Sequence, residues 1–132
     1  MRTILVIGCS LALAGCATQP PVPTRTAEAQ ADLNKLIAGK SAGAPFTCLQ
    51  HYRSNDMVRI DESTVAFKQG RRVYVNHLIG ACSNLDSNFY ALVTKSNGTG
   101  LCRGDIAYVQ DVSTGTIVGS CAIGDFVPYA PS

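Results

Sequence analysis

Apolar positions fall along this chain in three regimes. The first is a short, mostly apolar run from Ile4 to Leu13, behind Met1-Arg2-Thr3. It is too short to span a bilayer as a helix, which takes about 20 apolar residues. It therefore predicts the apolar stretch of a signal peptide over residues 1–15. Leu13-Ala14-Gly15-Cys16 ends it as a bacterial lipobox does, with cleavage before Cys16 and lipid on its sulfur and new α-amine. Residues 17–26 are polar and Pro-rich, and predict an extended tether with polyproline character. The second regime has helical spacing. Ala29, Leu33, Leu36 and Ile37 share one face, and Gly39 follows as a C-cap, so residues 27–38 predict a short amphipathic helix. Residues 41–45 form a second joint, which closes an N-terminal region of residues 16–45.

The third regime, residues 46–132, has a period of two. Val58 and Ile60 alternate with polar positions before the turn Asp61-Glu62-Ser63. Val65 and Phe67 precede Lys68-Gln69-Gly70-Arg71; Val73 and Val75 then face one way, with Arg72, Tyr74 and Asn76 facing the other. These three strands make a meander. His77 to Leu85 is less regular and has room for a helical turn. Phe89 to Thr94 is apolar on both faces, as a central strand would be, and Ser96 to Gly100 is a strong turn. Ile106 to Gln110 and Thr116 to Cys121 form a hairpin around Asp111 to Gly115, and Phe126 to Tyr129 closes the chain. Six or seven short strands with turn chemistry between them predict an all-β domain after one short N-terminal helix. The expected form is a small antiparallel barrel or sandwich.

Charge changes the picture little. The chain has 11 Lys and Arg against 9 Asp and Glu, and loss of Arg2 with the leader leaves a balance near +1. No basic stripe points to nucleic acid. Cysteine changes it more. Beyond Cys16 the mature chain keeps Cys48, Cys82, Cys102 and Cys121, an even number suited to two disulfides in an oxidising compartment. Of the three possible pairings, Cys48–Cys121 with Cys82–Cys102 is favoured, because it would staple the ends of the domain. Such bridges contribute roughly 4 and 3 kcal/mol in the chain-entropy view, comparable to the stability of a small domain.

Candidate chemistry is sparse. Cys48-x-x-His51 and His77-x4-Cys82 would supply a zinc site only with free thiolates, which the compartment opposes, so no metal is expected. Asp105 and Asp125 sit in Gly-Asp turns, where turn roles are commoner than acid–base catalysis. No serine lies in a nucleophile elbow. No cofactor is expected, and the chain is expected not to be an enzyme. The expected binding surface is Arg72, Tyr74 and Asn76 on one strand face, with Arg103 and Asp105 in a constrained turn.

Certain fragments carry a resemblance: Arg72-Val73-Tyr74-Val75-Asn76, His77-Leu78 leading to Cys82, Leu101-Cys102-Arg103-Gly104-Asp105-Ile106, and Gly119-Ser120-Cys121 through Tyr129. From Cys48 to Tyr129 the chain resembles a family of short proteobacterial lipoproteins or secreted proteins of unknown function. The resemblance implies one cysteine-stapled domain and brings no activity. Together with the lipobox, it leads to an expected lipoprotein anchored in the outer membrane and facing the periplasm. There it would act as a non-enzymatic module for an envelope protein or cell-wall partner. An inhibitor of a cell-wall hydrolase and a small envelope enzyme are the rival expectations.

Overall fold

The computed structural model describes residues 24–96, 98 and 100–132. The signal peptide, Cys16 and most of the tether lie outside them, as do Asn97 and Thr99 of the predicted turn. The helix α1 spans Ala27–Ile37. It starts where it does because the Thr26 hydroxyl caps it, accepting from the Ala29 amide at 3.1 Å. Gly39 follows its end at φ +69°.

Ten strands follow, all paired antiparallel: β1 Lys40–Ala42, β2 Cys48–Gln50, β3 Met57–Asp61, β4 Thr64–Gln69, β5 Arg72–His77, β6 Tyr90–Thr94, β7 Gly100–Cys102, β8 Ile106–Asp111, β9 Ile117–Ala122 and β10 Phe126–Pro131. They form a five-stranded sheet in the order β1-β10-β5-β4-β3, a three-stranded sheet β6-β8-β9 and a ribbon β2-β7. The predicted meander is β3-β4-β5, and the predicted C-terminal hairpin is β8-β9. The sheets stay open, so the domain is a sandwich and not a closed barrel. The six or seven expected strands are ten among the described residues.

The five-stranded sheet is covered on both faces. On one, Leu33, Leu36 and Ile37 of α1 pack on Ala66, Val73, Val75, Ile60 and Tyr129. On the other, Val65, Phe67 and Phe126 meet Leu49, Leu92, Leu101 and Val109 from the smaller sheets. An aromatic chain runs through this second core: Tyr74 meets Phe46 edge-on, Phe46 stacks on Phe126, and Phe67 lies between Phe126 and Tyr52. Such contacts add to the area that the rings bury. Arg59, on the core side of edge strand β3, donates to the carbonyls of Leu85, Ser87 and Tyr90 at 3.0, 2.7 and 2.9 Å. One guanidinium thus fixes the long β5–β6 connection.

Two expectations are corrected. The disulfides join Cys48 to Cys102 and Cys82 to Cys121. Cys48 and Cys102 stand directly opposite each other in the β2–β7 ribbon. The Ile79–Ala122 bridge lays the segment before Cys82 beside β9 and so brings it to Cys121. The second correction concerns the Phe89 strand. Its strand β6 is an edge, with β8 central, and Phe89 itself is 74% exposed.

Candidate functional site

The residues singled out from the sequence do not form one surface. Asn76 is fully buried, because the face of β5 that it shares with Tyr74 lies under the second core. Its side chain is bonded at both ends to the Gly124 backbone, donating to the carbonyl at 2.8 Å and accepting from the amide at 3.0 Å. Gly124 must be glycine, since a Cβ there would overlap the His77 carbonyl oxygen. Arg103 forms an exposed ion pair with Asp125 at 2.5 Å, and Asp105 accepts from the Cys102 amide at 2.8 Å. The structure thus gathers Asn76, Arg103, Asp105 and Asp125 into one knot of internal bonds around the 102–105 and 123–125 turns. Arg72 stands apart at the start of β5, exposed, and Tyr74 is half-buried against Phe46.

The rival chemistries find no assembly. Cys48 and Cys82 are oxidised, so the two thiolates that zinc would need are committed to disulfides. Among the described residues no three His, Cys, Asp or Glu side chains cluster as metal ligands. The principal cavities are lined by residues other than His51, His77, Asp105 and Asp125.

At the start of α1, Arg25 reaches from the end of the tether to the sheet. Its guanidinium donates to the Asp61 carboxylate at 2.7 Å and to the Thr64 hydroxyl at 2.5 Å. Burial pushes the Asp61 carboxyl up, but the bonds from Arg25 and Ser63 outweigh it and hold the group below its ordinary value. Nearby, burial and the Arg25 charge lower His77, against a smaller raising pull from Asp61. Glu28, Asp32 and Asp86 line the grooves at this end of the helix, with Arg59 beside them.

The opposite end is basic. Beyond the last turn of α1 the helix no longer covers the sheet, and a basin of about 550 Å³ opens. Leu36, Val58, Val73 and Pro131 supply its apolar positions, with Lys35, Lys40, Lys68 and Arg71 beside them. Each cation arrives by a separate local rule. Lys35 occupies the last turn of α1, where positive charge suits the helix dipole. Lys40 donates to the Leu36 carbonyl at 3.2 Å. Lys68 lies on the helix side of β4, in register with Val73, and Arg71 sits in the β4–β5 turn, which Gly70 closes at φ +60°. Asp32 is the one carboxylate lining the basin. Arg25 and Arg103, by contrast, are paired with carboxylates. Four of the ten cations that follow the leader therefore border one concavity. The sequence hides this, because the four are scattered between residues 35 and 71 and the overall charge is near neutral.

Fold and site define a class: a disulfide-stapled antiparallel sandwich with one covering helix and a cationic basin at that helix's end. The chain belongs to a family of unknown function, DUF6491, whose profile matches residues 1–130. No curated protein and no solved structure matches it. The two disulfides suit an oxidising, extracytoplasmic compartment. No helix among the described residues is long and apolar enough to cross a membrane.

Proposed function

We propose that this chain is an envelope lipoprotein, lipidated at Cys16 and anchored in the outer membrane facing the periplasm. There it acts as a non-enzymatic binding module for an anionic ligand or partner. The basin carries this reading: four cations border one concavity with a single carboxylate, and none of the four is in an ion pair among the described residues. The lipobox Leu13 to Cys16 and the two disulfides support the address. A short tether ending at Arg25 would hold the domain close to its membrane, within reach of wall or envelope partners.

Two measurements test this. Radiolabelled palmitate should enter the wild-type chain and not Cys16→Ala; equal labelling sinks the anchor. Crosslinking in intact cells should capture a partner with the wild type, and much less with Lys35→Gln/Lys68→Gln/Arg71→Gln. Undiminished capture by the triple variant sinks the basin as the binding site.

A further inference from the structure

The make-up of the basin narrows the chemistry of the anion, an inference that rests on the binding reading above. Three of its four cations are lysines from three different elements, namely the last turn of α1, β1 and the end of β4. A carboxylate offers two coplanar oxygens and is met best by a single guanidinium fork. Separate ammonium groups act instead as point charges that approach from different directions. A phosphate suits such a set, with three terminal acceptor oxygens and a charge of about −1.5 to −2 near neutral pH. The space of about 550 Å³ holds more than the anion itself, and Leu36, Val58, Val73 and Pro131 offer apolar contact to the carbon part of an ester. Asp32 forms no ion pair with Lys35, three residues along the same helix. We propose that the basin binds a phosphate monoester, whether free in solution or carried as a lipid headgroup.

Lysine footprinting on the full-length chain, purified in a neutral detergent, tests this. The protein is acetylated with inorganic phosphate or glycerol phosphate, and with chloride at equal ionic strength. It is also acetylated with a tetraglutamate peptide, and with vesicles of phosphatidylcholine alone or of phosphatidylcholine and phosphatidic acid, whose headgroup is a phosphate monoester, in equal parts. The expected result is slower modification of Lys35 and Lys68 in phosphate, with Lys95, which lies over the Tyr108 ring outside the basin, unchanged. Arg71→Gln should raise the phosphate concentration for half-protection about tenfold, as loss of one charge-assisted contact implies. Protection by glycerol phosphate identifies a free ester, and protection by inorganic phosphate without protection by glycerol phosphate overturns the ester part of the inference. Protection only by the phosphatidic acid vesicles identifies a headgroup. Protection by a tetraglutamate peptide and by no phosphate source overturns the inference and leaves the anion-binding module standing. Protection by none of these anions overturns it as well, and the crosslinking comparison then judges the module by itself.

Discussion

Asn76 carries two hydrogen bonds to Gly124 in the dry interior between β5 and the turn before β10. Replacing it with leucine orphans a buried N–H and a buried carbonyl together. Asn76→Leu should therefore cost about 2–4 kcal/mol, read as a lower urea midpoint. Strand alternation had placed this side chain on the same face as Arg72 and Tyr74, and that was right. What alternation lacks is any statement of what covers a face. The three residues pass from hairpin tip to centre, so one is exposed, one half-buried and one sealed. The start of α1 makes a second residue-scale prediction. Asp61 is held below its ordinary carboxylate value, so its contribution is present at neutral pH and is lost as pH falls through its folded pKa. His77 is lowered by burial and by Arg25, so the fold prefers it neutral. Its contribution is complete above the ordinary histidine value of about 6.5 and declines as pH drops below that. His77→Gln should flatten denaturation midpoints in that mildly acid window. Arg25→Ala should weaken the stability that depends on Asp61 at lower pH.

At the scale of elements, the pattern was legible wherever a segment was long enough to show a period. The helix over residues 27–38, the β3-β4-β5 meander and the β8-β9 hairpin all lie where the spacing put them. The three-residue strands β1, β2 and β7 were not legible, because three positions cannot establish an alternation. That gap explains the mispaired cysteines. Cys48 and Cys102 are partners because β2 and β7 form a ribbon, and neither strand announces itself in the sequence. Peptide mapping without reduction should return Cys48–Cys102 and Cys82–Cys121. With separations of 54 and 39 residues, each closure contributes roughly 4 kcal/mol in the chain-entropy view. Reduction should accordingly lower the melting temperature by tens of degrees or unfold the domain. The Phe89 strand was misplaced for a different reason. Apolar residues on both faces fit a central strand, yet here one face serves the core and the other meets solvent.

In the whole molecule, charge is uneven along α1: Glu28 and Asp86 stand about its first turns with Arg25 and Arg59, and Lys35, Lys40, Lys68 and Arg71 gather about its last with Asp32 alone among carboxylates. Composition could not show it, since the totals nearly cancel. The neighbours Arg71 and Arg72 part at the start of β5. Arg72 lies on the opposite face, while Arg71 turns to the basin. Like charges gathered this way repel in the empty site, so a neutral substitution should stabilise the ligand-free protein slightly. Lys68→Gln should raise the unfolding free energy by about 0.5 kcal/mol or less, read as a slightly higher melting temperature, with the gain fading as salt is added. A fall in stability would mean that Lys68 serves the fold and not a ligand.

The two disulfide loops overlap along the chain, for Cys82 lies inside the Cys48–Cys102 loop and Cys102 inside the Cys82–Cys121 loop. No peptide bond between Cys48 and Cys121 is left without a bridge spanning it. A protease that cuts once in this region severs the backbone without parting the molecule, and both fragments stay on the same tether.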